Sequence, residues 1–444
     1  MKKTILFTIG LAAAFAANLF AGETLQLNIV PERGYVVKNS PQEVVIKIDL
    51  SAITGRKKVR RTPLNLAVVL DKSGSMTGAK LEKTKQAAMQ LVDRLAPNDI
   101  FSLVIFSDEA RVLVPAQRVE DKDALKEKIE GIEADGSTAL YAGVKMGADQ
   151  LQEFFSSKRI NRVILLSDGL ANVGPSSPRE LRRLGSDLAE RGISVTTIGV
   201  GDDYNEDLMA GLAEASDANY YYVQDTEKLP EIFAKELGEL LTVAARDVRI
   251  EIVCPDGVKP LGFIGRAEKF EDQRATVNLS QFTTGQDRYL FLRCLVNGKQ
   301  PEVAQVNVNY TDELGDGSVQ TASGVARVDF TEDQDLSDKS VNGTVVAQKE
   351  LMLTAVAKDD ALVQADAGNY TEAAKILTAQ NRALGSVYAA APPTVQMQLR
   401  DETNNLDYFS DKISGGGGGF GGAQYDSATR KAMQAQSYNT RNSK

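Results

Sequence analysis

The sequence predicts an α/β chain: a doubly wound, mostly parallel sheet inserted in a β-sandwich and followed by a C-terminal helical hairpin. Three observations predict it. Between residues 63 and 241, short continuous apolar runs alternate with segments of helical periodicity, the pattern of strands covered on both faces. On either side, period-two alternation with turn residues marks strands of a different kind. Beyond residue 344, apolar groups recur at helical spacing.

The chain has 444 residues, too many for one ordinary domain. Its first 21 residues read as a secretory signal: Lys2 and Lys3, an apolar stretch from Thr4 to Phe20, and small residues offering Ala16 or Ala21 for cleavage. Export to the periplasm or the medium is therefore expected. Removing two lysines and no acid takes the net charge from −9 to −11. No later run is long or apolar enough to cross a bilayer. So acidic a chain is a poor prospect for nucleic acid, whose phosphates require clustered Lys and Arg.

Residues 22–62 carry two strands, "TLQLNIV" and "EVVIKIDL", and then the basic connector "SAITGRKKVRRTP". A lone hairpin is marginal, so these strands should complete the sandwich expected over 242–335, with the α/β unit inserted between. In the α/β unit the strands are "LNLAVVL", "DIFSLVIF", "ARVLVPAQ", "NRVILLS", "ISVTTIGV" and "NYYYVQ". Three residues separate the second from the third, too few for a parallel crossover, which makes that pair an antiparallel hairpin. Helices are expected at 79–95, 121–132, 138–155, 178–191, 205–214 and 226–241. The helical region covers 344–411: an αα-hairpin over 344–385, broken at "DAGNY", and a further helix expected over 394–411. Residues 412–444, with "GGGGGFGG" and a polar end, read as a disordered tail. Cys254 and Cys294 could join in a disulfide, stabilising the fold by roughly 4 kcal/mol on the chain-entropy model, or stay as buried thiols on neighbouring strands.

There is no His in the chain, which excludes a Ser–His–Asp triad, a Cys–His pair and His-ligated zinc. What remains is oxygen chemistry. In an open α/β sheet, ligands bind at the carboxyl ends of the strands where the winding reverses. "LDKSGSM" places Asp71, Ser73 and Ser75 just past such an end; "ADGSTAL" places Thr138 at a helix start; "LLSDG" places Asp168 directly after a strand. These five oxygen donors suit Mg2+, Mn2+ or Ca2+. Two carboxylates balance a divalent charge and three hydroxyls add none, which leaves a position open to an incoming anion. Ser137 or Thr138 could also cap its helix. "GSMTGAK" has the wrong spacing for a phosphate loop, and no Ser or Thr follows Lys80.

The arrangement Asp71-Lys72-Ser73-Gly74-Ser75, then Thr138, then Asp168 resembles a von Willebrand factor type A domain with a metal-ion-dependent adhesion site, over residues 63–241. That resemblance implies Ser73, Ser75 and Thr138 as direct metal ligands, with Asp71 and Asp168 behind them or as alternates. It also implies a protein partner gripped through an acidic residue, and movement of the helix at 226–241 on binding. The wider layout resembles bacterial exported proteins described as calcium-activated chloride-channel homologues. A binding module rather than an enzyme is expected. A phosphoryl-accepting Asp71 would need a second Asp two residues on, where Ser73 stands. An envelope scaffold with a non-essential metal site is the other alternative.

Overall fold

A computed structural model describes residues 18–21, 24–38, 40–55, 61–297, 300–415 and 425–442. The first strands are β1 (Asn18–Ala21), β2 (Leu25–Pro31), β3 (Tyr35–Val37) and β4 (Gln42–Ala52). The α/β unit then runs β5 (Leu64–Asp71), α1 (Ala79–Arg94), β6 (Ile100–Phe106), β7 (Ala110–Arg118), α2 (Lys122–Glu130) and α3 (Leu140–Gln152). It continues with β8 (Ile160–Ser167), α4 (Pro178–Glu190), β9 (Ser194–Val200), α5 (Glu206–Ala215), β10 (Tyr220–Val223) and α6 (Leu229–Leu241). Seven strands follow: β11 (Val243–Val253), β12 (Val258–Phe263), β13 (Arg274–Thr283), β14 (Asp287–Val296), β15 (Glu302–Asp312), β16 (Val319–Arg327) and β17 (Asp329–Thr331). The helices α7 (Gln334–Lys339), α8 (Gly343–Asp366), α9 (Tyr370–Val387), α10 (Pro393–Ser414) and α11 (Ser427–Asn442) complete the chain.

The α/β sheet has the order β10-β9-β8-β5-β6-β7, parallel except for β7. Alternate residues of β5 serve opposite layers. Leu64, Leu66, Val68 and Leu70 pack with α1, α2 and α6, while Ala67 and Val69 pack with α3. Burial on both faces is why the strands read as unbroken apolar runs. The winding reverses at β5, whose neighbours β6 and β8 are reached on opposite sides. Asp71 therefore ends one of the two strands that flank the switch, and Asp168 directly follows the other.

Two further sheets, β1-β2-β4-β14-β12 and β13-β11-β15-β16, enclose one core that includes Leu27, Ile46, Ile48, Ile250, Leu279, Val306 and Tyr310. The strands before and after the α/β unit thus meet in one sheet, β4 pairing antiparallel with β14 from Gln42↔Val296 to Ser51↔Asp287. On its outer face, Val45 and Phe291 are covered by Val345 and Met352 of α8.

Three expectations change. Residues 412–414 belong to α10, and 427–442 form a buried helix instead of a disordered tail; residues 416–424 and 443–444 lie outside the described residues. Polar side chains bury well when their charges are met, and α11 meets several. Arg430 pairs with Glu206, Asp207 and Asp366, and Lys431 pairs with Glu206 at 2.7 Å. α11 thereby joins the hairpin of α8 and α9 and the further helix expected over 394–411, here α10, around one core with Leu377, Leu399 and Met433. Cys254, just past β11, and Cys294, in β14, face each other across the sandwich as buried thiols 3.9 Å apart; they are not on neighbouring strands. Finally, Asn18–Ala21 adds a strand beside β2. Cleavage after Ala21 would remove it, and the rest of the signal, 1–17, lies outside the described residues.

Candidate metal centre

Asp71 closes β5 with its side chain fully buried. One carboxylate oxygen accepts the Ser73 backbone N–H at 2.8 Å and the other accepts the Ser167 hydroxyl at 2.5 Å. Burial pushes its carboxyl up to about 6, with the Asp168 charge in the same direction; the hydrogen bonds from Ser167 and Ser73 oppose the rise. The chain then turns through a single 3-10 turn, Gly74–Met76. This presents Ser73 Oγ 3.1 Å from Ser75 Oγ, and Ser75 donates to Asp168 Oδ1 at 2.7 Å.

Thr138 reaches the rim by another route. It precedes α3 by two residues, and neither it nor Ser137 makes a side-chain cap, the N-cap position being Ala139. Its backbone N–H donates to Asn172 Oδ1 at 2.9 Å, and its carbonyl accepts from the Asn172 and Val173 amides. Among the described residues no hydrogen bond engages its hydroxyl. That hydroxyl lies close to Gly169: a Cβ added there would stand 2.8 Å from Thr138 Oγ1 and 3.5 Å from Ser75 Oγ. Gly169 therefore leaves open a small space onto which hydroxyls from two loops converge.

Backbone hydrogen bonds lace the loops together. Gly74 N–H donates to Gly136 O at 3.0 Å, Asp135 N–H to Lys72 O at 2.7 Å and Ala139 N–H to Ser107 O at 2.7 Å. Asp108 accepts the Ser137 amide at 2.8 Å. The rim is thus held by the fold and not by its own side chains alone. All five sequence-predicted donors lie in this one place: Asp71, Ser73, Ser75 and Asp168 as a connected set, Thr138 across Gly169.

The electrostatics hold two lysines. Lys72 turns to Asp135, which also accepts the Ser107 hydroxyl at 3.0 Å; the two together hold the Asp135 carboxyl below its ordinary range, Lys72 contributing most. Lys80, in the first turn of α1, pairs directly with Asp168 Oδ2. Sequence reasoning missed Lys80 as a member of the site, along with Ser167 and Asn172. A signal existed for Lys80. A cation in the first turn of a helix opposes the helix dipole, so it calls for a nearby carboxylate. Among the described residues no three acidic, His or Cys side chains gather at one point, so a cation here would depend on the hydroxyls.

The family model for the von Willebrand factor type A domain matches residues 65–235. Residues 65–235 form a von Willebrand factor type A domain. Sequence relatives include sll0103 of Synechocystis sp., 30% identical over 268 residues, 57% of this chain and 63% of that protein. YfbK of Escherichia coli is 29% identical over 213 residues, 48% of this chain and 37% of that protein. Human inter-alpha-trypsin inhibitor heavy chain H4 is 32% identical over 160 residues, 34% of this chain and 17% of that protein. The chain thus spans less than two thirds of the length of each of these relatives. Among solved structures, a von Willebrand factor type A protein from Catenulispora acidiphila superposes with a TM-score of 0.69 at 20% identity, covering 90% of this chain and 91% of its own. The ArnB paralog VWA2 from Sulfolobus acidocaldarius reaches 0.62 at 17% identity, covering 94% and 98%. Both likenesses are of fold.

Proposed function

We propose that this chain is an exported binding module whose type A domain holds a divalent cation, Mg2+ or else Mn2+ or Ca2+, and grips an acidic side chain of a protein partner. Domains of this family commonly mediate protein–protein interaction. The observation that supports the metal-dependent reading is the meeting of donors from three separate segments beside Gly169: Ser73 and Ser75, Thr138, and Asp168.

The donor chemistry fits. Ser73, Ser75 and Thr138 would offer neutral oxygens, and Asp168 and Asp71 the negative charge. A bound divalent cation supplies a coordination position that a carboxylate can fill. Asp71 would keep the first loop in shape through the Ser73 amide, while Asn172 keeps Thr138 aimed at the same point. Leu170, exposed next to the site, gives the rim an apolar contact for the residues flanking the partner's acid. Lys2, Lys3 and the apolar stretch after them support export. No helix among the described residues is long and apolar enough to cross a membrane.

The test is capture of proteins from an envelope extract on the immobilised chain, in Mg2+ and in EDTA, with Asp71→Ala and Thr138→Ala alongside. The reading requires bound species that vanish in EDTA and in both variants. Capture indifferent to all three changes would defeat it.

A further inference from the structure

We infer that Lys80 is a tethered counter-ion of the type A site: its ammonium holds Asp168 when no divalent cation is bound and must leave Asp168 for one to enter. The inference rests on the metal-binding reading above and adds a competitor that sets the affinity.

The Asp168 side chain is fully buried and Lys80 is only about a quarter exposed, 27%. Among the described residues each Asp168 oxygen has one partner: the Ser75 hydroxyl on Oδ1 and the Lys80 ammonium on Oδ2. A carboxylate so buried needs a compensating charge in either state. The lysine stem is steered to it from a fixed base. Lys80 is the second residue of α1, and its Cε and Nζ pass beside Gly201, the positive-φ residue after β9, where an added Cβ would stand 3.6 Å from both. Lys72 does not take its place, because it is engaged by Asp135.

Two consequences follow from charge alone. A divalent cation placed between Ser75 and Asp168 would sit at contact range from a fixed positive charge, so binding is weakened unless Lys80 swings out. Lysine suits this exchange, since its ammonium is a point charge on a flexible stem that can retreat to water. Loss of that charge should tighten divalent binding by at least ~10-fold. The same loss leaves Asp168 uncompensated in the metal-free state and lowers its melting temperature.

The experiment measures Mn2+ binding to the full chain by the electron paramagnetic resonance signal of free Mn2+, for the natural protein, Lys80→Met and Lys80→Arg, with thermal melts in EDTA and in saturating Mn2+. The expected result is an affinity at least ~10-fold higher for Lys80→Met, an affinity near the natural one for Lys80→Arg, and a melting deficit of Lys80→Met that appears in EDTA and closes in Mn2+. Lys80→Gln gives the same comparison should the Met variant fail to fold. Equal or weaker binding by the neutral variants, with the natural protein binding, overturns the counter-ion role alone. Absence of Mn2+ uptake by every form overturns the metal reading, and this inference with it.

Discussion

Arg162 of β8 and Glu236 of α6 face each other 4.0 Å apart in the interior, their side chains 2% and 1% exposed. Thr196 of β9 bridges them, accepting from Arg162 at 3.2 Å and donating to Glu236 at 2.5 Å. Asn219 holds the other Glu236 oxygen at 2.7 Å and Tyr221 at 3.1 Å. The pair ties α6, which runs directly into β11, to the centre of the α/β sheet. Glu236→Ala leaves the guanidinium buried without its charge partner and should cost about 3–5 kcal/mol. Arg162→Met with Glu236→Leu removes both charges and should cost clearly less. Urea unfolding of the three variants checks this; a double variant as weak as the single one would refute it.

The candidate metal centre makes a prediction about stability that needs no partner. A cation bound to the folded chain and not to the unfolded one stabilises by about 2.7 kcal/mol at a hundredfold excess over its Kd. Calorimetric scans in Mg2+ should therefore show a higher Tm than scans in EDTA. Thr138→Ala should abolish that gap while leaving the EDTA scan nearly unchanged, because no described residue hydrogen-bonds to the Thr138 hydroxyl. A Tm equal in Mg2+ and EDTA for the natural chain would count against the site.

What the sequence disclosed follows physical range. Local periodicity carries the order of strands and helices through the α/β unit, and the three residues between β6 and β7 suffice to make that pair antiparallel. Asp71 and Asp168 stand out because strand ends announce themselves by a switch from apolar to polar residues, and Thr138 because it opens a helix. For Lys80 the only local signal is a cation in a helix's first turn, and its partner Asp168 lies 88 positions away. The fate of the C-terminal segment was hidden for the same reason. "KAMQAQSYNTRN" is mostly polar, with Met433 and Tyr438 its only large apolar groups, and tertiary contacts turn it into a buried helix. Tyr438 packs edge-on against Tyr220 at 5.6 Å and donates to Ala218 O at 2.5 Å, and Arg441 reaches Asp359 at 3.1 Å.

That docking predicts a strong dependence on two cations. Glu206 is almost fully buried and is met by Arg430 at 2.5 Å and Lys431 at 2.7 Å, both from α11. Arg430→Ala with Lys431→Met strips it of both, and a buried charge so abandoned costs about 3–5 kcal/mol. The helix should then detach before the rest of the chain unfolds. Limited proteolysis followed by mass spectrometry should show cleavage between α10 and α11 in the double variant at protease levels that leave the natural chain intact. Equal resistance would show that the apolar contacts of Met433 and Tyr438 hold α11 by themselves.

The close approach of α3 to the sheet gives the last prediction. Gly143 and Gly147 lie one turn apart on the face toward β5 and β6. A Cβ at Gly147 would stand 2.5 Å from Val69 Cγ2, and one at Gly143 would stand 2.7 Å from the Phe106 ring. Gly147→Ala must therefore push the helix outward or twist Val69, and overpacking of this kind costs about 1–3 kcal/mol. The displacement has a direction that matters, because α3 begins just after Thr138 and moving it carries Thr138 away from Ser75 and Asp168. Gly147→Ala should thus lose both stability and divalent affinity. Adding Val69→Ala vacates the methyl it strikes and should restore most of each. If calorimetry in EDTA shows the stability loss while Mn2+ affinity stays unchanged, the helix is not what positions Thr138, and the backbone bonds from Asn172 and Val173 hold that loop alone.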